Sequence, residues 1–146
     1  MAGKFKLQSV LNYRQSLEDQ AQQLLTTSLQ QQKNFEEQLS CQQQTLNDAD
    51  TELKLRQLEG MTIAEMDLYE GQIYHCRQVI EEIHQHLQRL LLRIEEERKA
   101  LLHAARERQV LEKLKERQEA EYQQELSRLE RVMLDEISLQ KKGKIS

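Results

Sequence analysis

The chain carries four histidines and two cysteines, the residue types from which metal centres and nucleophiles are built. Their spacing defeats both uses. His84 and His86 stand two apart, so on a helix they point about 160° from each other and cannot share an ion. His75 beside Cys76 fails on the same ground. Cys76 falls on an apolar seam, where a thiol behaves as a small hydrophobe. Cys41 sits two residues past the seam position Leu39 and faces outward, so no disulfide between the two is expected. No phosphate-cradling glycine loop, HExxH or CxxC motif occurs. The residues predict no catalytic group, no cofactor and no metal.

Two charge features remain. Arg98, Lys99, Arg106, Arg108, Lys113, Lys115 and Arg117 interleave with Glu107, Glu112 and Glu116. Many of these stand three or four apart, a spacing at which ion pairs support a helix by about 0.3–0.5 kcal/mol each. That stretch reads either as a solvated, salt-bridged face or as a basic patch for an acidic partner. The tail Lys141-Lys142-Gly143-Lys144 complements a helix C-terminal dipole.

The elements that carry these residues are long helices. An apolar seam steps by three then four through Ile73, Cys76, Ile80, Ile83, Leu87, Leu90, Ile94, Glu97, Leu101, Ala104, Arg108, Leu111, Lys115, Gln118, Tyr122, Glu125, Leu129, Val132, Glu136 and Leu139. A period near 3.5 demands a second helix to cover it. Upstream, Leu7, Val10, Leu11, Leu17, Ala21, Leu24 and Leu25 form a broader stripe. Leu39, Leu46 and Leu53 then recur every seven residues, with Phe35 and Ala49 between them. Gln32, Gln42 and Arg56 share that seam and loosen it. The glutamine clusters 30–32 and 42–44 read as a solvated helix face.

A break lies near residue 60. Gly60 suits a left-handed helix end, with Lys54 and Arg56 near the negative pole. Thr62-Ile63-Ala64-Glu65 is a capping box, and Met61 and Met66 fall where a hydrophobic staple closes over it. The expected organisation is one coiled-coil domain over 1–146. Its first helix runs from about 5 to 58, the turn covers 59–61, and the second helix runs from 62 to about 140. Gly71 admits a hinge, and a tail frays over 141–146. So short a connection makes the helices antiparallel. Residue i then faces about residue 121 minus i, and everything past about Ala120 lacks a partner from this chain. Tyr122, Leu126, Leu129, Val132, Met133, Ile137 and Leu139 remain apolar there, as a binding element would.

Composition agrees. Apolar residues make 38% of the chain and charged ones 32%, with no Pro, no Trp and two Phe; good helix formers dominate. A net charge of −4 and the lack of aromatic interleaving argue against nucleic acid. No apolar run reaches membrane-spanning length, and no secretory signal follows Met1 to Leu7. Cysteine usage fits a reducing cytoplasm. Two bare helices offer no water-excluding pocket for an enzyme.

Three segments carry a resemblance. Phe5-Lys6-Leu7-Gln8-Ser9-Val10-Leu11-Asn12-Tyr13-Arg14, followed by Leu17-Glu18, resembles the N-terminus of the flagellar export protein FliJ family. Residues 106–117, RERQVLEKLKER, are similar to that family's most recognisable segment. Glu130, Leu134, Asp135, Glu136 and Ile137 look like its C-terminal end. The resemblance implies an antiparallel two-helix hairpin, its second helix longer and overhanging, similar to the central stalk of rotary ATPases. It implies insertion into the hexameric ring of the export ATPase, contact with the cytoplasmic domain of the export gate, and recycling of export chaperones. Such a protein is non-enzymatic, monomeric and cytoplasmic, held at the inner-membrane export apparatus. Arg14, Arg106, Arg108, Lys113, Lys115, Arg117, Tyr122, Leu126, Leu129 and Met133 are the expected ring contacts. Gln72, Cys76, Val79 and Ile83 match the gate-contacting face. The alternatives are a homodimeric coiled-coil scaffold, or the equivalent stalk of a virulence-type secretion system.

Overall fold

A computed structural model of the chain describes residues 5–145. Two helices account for nearly all of them: α1, Gln8–Glu59, and α2, Ile63–Ile145. No strand occurs among the described residues. The architecture is an antiparallel coiled-coil hairpin. The absence of proline and the run of straight-chain residues let each helix continue without interruption.

The turn forms as its chemistry dictates. Gly60 takes φ +92°, a backbone conformation that ends α1 at no steric cost only for glycine. The Thr62 hydroxyl accepts from the Glu65 amide at 3.2 Å, and the Thr62 carbonyl accepts from the Met66 amide at 3.0 Å. Met61, Met66 and Tyr69 pack on a cluster of Ala49, Leu53 and Ile73, which closes the hairpin end.

The boundaries differ from expectation at four places. Residues 5–7 form a turn, with the Phe5 carbonyl accepting from the Gln8 amide at 3.0 Å, before α1 begins. The connection is Gly60–Thr62, because Thr62 caps α2 from outside it. Gly71 makes no hinge: α2 passes through it unbroken, because the turns on either side hold the ladder. Nor does a tail separate at 141, since α2 continues to Ile145, its lysines suiting the C-terminal dipole. Ser146 lies outside the described residues, as do the first four residues that entered the secretory-signal reading.

The chain divides into two compact units. The first, Ala21–Leu101, holds the turn. Its α1 contributes Leu25, Ser28, Phe35, Leu39, Leu46, Ala49 and Leu53 to the seam, and its α2 contributes Ile73, Cys76, Ile80, Ile83, Leu87, Leu90 and Ile94. Tyr69 meets Glu52 and Phe35 meets His86, pairs whose numbers satisfy the register expected for a fold about Gly60. Phe35 and His86 stack at 5.6 Å, nearly parallel. One layer is polar: the buried Ser28 hydroxyl donates to Glu97 Oε1 at 2.9 Å, while Glu97 Oε2 is buried without a partner.

The second unit joins the chain up to Gln20 with the chain from Leu102 onward. Leu11 is its buried anchor, and the layers beside it are ionic. Arg108 donates to Glu18 and, at 2.6 Å, to Glu112; Arg14 stands 3.9 Å from Glu107. These bonds hold the Arg108 guanidinium protonated beyond its ordinary range, Glu18 contributing most and Glu112 next.

The α1 stripe is only partly as expected. Leu7, Val10 and Leu24 are exposed, as is the seam candidate Arg56. Stepping by three and four from Leu25 back to Leu11 selects Ala21, Glu18 and Arg14 instead, and forward it selects Ser28. Geometry assigned the seam, and polar residues occupy part of it.

Candidate functional site

A binding surface on a two-helix coil must come from what the seam leaves uncovered. In the unit that contains both ends of the described chain, half-buried positions on α2 stop at Tyr122. From Gln123 to Gly143 every residue is exposed. Leu126, Leu129, Val132, Met133, Leu134, Ile137 and Leu139 keep 36% to 68% of their surface in solvent. They recur at three- and four-residue steps, so an amphipathic helix continues where its cover ends. Arg128 donates to Glu125 at 2.6 and 3.2 Å. That bond depresses the Glu125 carboxyl and raises Arg128. The i,i+3 pair stiffens the start of the uncovered stretch.

The expected ring contacts divide in two. Arg106, Lys113, Lys115 and Arg117 are exposed and make no ion pair among the described residues, leaving their charge for a partner. Lys115 occupies a seam position by spacing, yet it lies in solvent. Arg108 and Arg14 serve the chain itself. Arg108, expected both on the seam and at the ring, is held by Glu18 and Glu112, and Arg14 stands beside Glu107. Two of the Arg108 N–H groups are thereby engaged within the hairpin. Tyr122 is half-buried, and Leu126, Leu129 and Met133 are open.

The four residues of the expected gate face also divide. Cys76 and Ile83 are 4% and 6% exposed, locked in the seam under α1. Gln72 is exposed and Val79 half-buried, and Val79 lines a groove with Phe35 and Cys41. Cys41 is exposed and free, Cys76 buried and free. No group of three or more metal-ligating side chains occurs among the described residues. No helix there is long and apolar enough to cross a membrane.

The sequence reading missed the polar partners Glu18, Ser28 and Glu107. Their signal was present as phase: each lies in a 3-4 step or beside one, and only the search for apolar residue types hid them.

Comparison with curated proteins and with solved structures gives no match. A family model described as flagellar FliJ protein matches residues 3–143. That span takes in α1, the capped turn and α2 through the whole uncovered stretch to Gly143. The chain therefore belongs to the flagellar FliJ protein family.

Proposed function

We propose that the protein is a non-catalytic stalk of the flagellar type III export apparatus. Its uncovered α2 segment enters the hexameric ring of the export ATPase and promotes ring assembly and turnover. Leu126, Leu129 and Met133 supply the apolar contact, with Arg106, Lys113, Lys115 and Arg117 drawing in an acidic surface. On this reading Gln72 and Val79 touch the cytoplasmic domain of the export gate, and export chaperones are released and reused through the same protein. It then works as a monomer in the cytoplasm, held at the inner-membrane export apparatus by its partners.

The observation that carries this reading is the uncovered stretch from Gln123 to Gly143. A soluble helix does not leave seven large apolar side chains in water for stability's sake, and such surface marks an interface. The runner-up, a homodimeric scaffold zipped along the seam, has less support: from Ile73 to Ile94 that seam is already covered by α1 of the same chain.

The test is ATP hydrolysis by the purified ATPase with and without the protein. The Leu129→Glu, Met133→Glu double variant changes exposed positions, and circular dichroism should show the hairpin still folded. It should abolish stimulation that the unchanged protein gives. Full stimulation by this variant would remove the docking model.

A further inference from the structure

Within the Ala21–Leu101 unit, a groove of about 410 Å³ runs between the helices. One wall is Gln31, Asn34 and Gln38 of α1; the other is His86, Arg89 and Arg93 of α2. Phe35, stacked on His86, and Leu90 form its floor. No carboxylate lines it, in a chain whose net charge is −4.

Arg89 and Arg93 are exposed and make no ion pair among the described residues. Like charges at i,i+4 destabilise a helix, and neither guanidinium has a carboxylate within ion-pair distance to neutralise it. On α2 the acid-free interval runs from Ile83 to Ile94, closed by Glu81-Glu82 before it and Glu95-Glu96-Glu97 after it. The positive groove is short and bracketed by negative charge.

We propose that this groove docks a short acidic amphipathic helix of a partner protein. Arg89 and Arg93 lie about 6 Å apart along the axis, the spacing of glutamates one turn apart on a docked helix. The half-buried Phe35 gives the docked helix its apolar contact, while Leu90 stays closed in the seam beneath it, and the amides of α1 complete the polar rim. Helix-in-groove recognition uses such i,i+4 anchors. A nucleic acid fits worse, because a continuous phosphate track would run onto the glutamates at either end. The site is distinct from the stretch proposed to enter the ATPase ring, and stands or falls separately from it.

The experiment titrates the full-length protein into a labelled synthetic helical peptide of about 14 residues, with glutamates every fourth position beside leucines. Anisotropy at low salt should show binding that a glutamine-for-glutamate peptide lacks. The Arg89→Glu, Arg93→Glu double variant should weaken it at least about tenfold. The Lys54→Glu, Arg77→Glu double variant changes net charge equally at exposed positions that carry no binding role, and should bind as the unchanged protein does. Equal loss in both double variants would mean only bulk charge is sensed, and would overturn the proposal. Tighter binding of a single-stranded oligonucleotide of similar length would overturn it too, as would self-association that the groove variant alone abolishes.

Discussion

Three consecutive leucines, Leu90, Leu91 and Leu92, offer a direct test of which face of α2 is covered. Leu90 is 3% exposed and packs with Leu25 and Ile94, whereas Leu92 is 66% exposed. Leu90→Ala removes three carbon groups from the seam, worth about 0.8 kcal/mol each on transfer to water. A residual cavity adds to this, although a two-helix seam admits water and collapses readily. The total is about 2.5–3 kcal/mol, near the low end for buried leucines, and lowers Tm by about 5–10 °C. Leu92→Ala should change stability by less than about 0.5 kcal/mol. Because both swaps are Leu→Ala two residues apart in one helix, helix propensity cancels and burial alone separates them. Urea unfolding followed at 222 nm measures both. If Leu92→Ala costs as much as Leu90→Ala, the covered face has been misassigned and the register drawn above is wrong.

Three further outcomes are expected. Alanine at the two glycines should act with opposite sign: Gly60→Ala forces a side chain into φ +92° and costs about 1 kcal/mol. Gly71→Ala, whose new Cβ meets open space in mid-helix, should stabilise by about 0.5–1 kcal/mol by the same unfolding assay; a loss there would restore the hinge. At the polar layer, Ser28→Ala alone should destabilise by about 1 kcal/mol by stripping Glu97 of its donor. The Ser28→Ala, Glu97→Leu pair should recover more than that, since an apolar pair replaces a carboxylate with an orphaned oxygen; strictly additive effects would refute the coupling. Tyr69 donates to Glu52 at 2.9 Å, and that bond, first among several causes, raises its pKa above the ordinary phenol value. The contribution is present below about pH 10 and lost as pH climbs through the raised folded value. Glu52→Ala should shift the phenolate absorbance titration downward, and an unmoved titration would break the assignment.

The helices, their antiparallel return and the uncovered end of α2 were legible in the residues, because a 3.5-residue apolar period is a property of spacing alone. Ile73, Cys76, Ile83, Leu90 and Ile94 fall on the seam by counting, and the structure buries all five. Gly60 and Thr62 announced the turn through backbone chemistry that acts within a few residues. Local signals of this kind need no knowledge of the rest of the chain.

Other features required the second helix to be in place. Leu7, Val10 and Leu24 look like core by residue type, yet they flank the seam and stay in solvent. Arg14, Glu18 and Ser28 look like surface, yet they occupy seam steps, and each finds its partner some seventy to ninety residues away on α2. Whether Arg108 was a docking cation or an internal bridge depended on Glu18 arriving opposite it. Whether Cys76 and Ile83 could meet a gate depended on α1 lying over them. Spacing along one helix sets which residues share a face; only the packed partner decides which face is dry and which charges are already matched. That is why the fold could be read from one strand of text and the free surface could not.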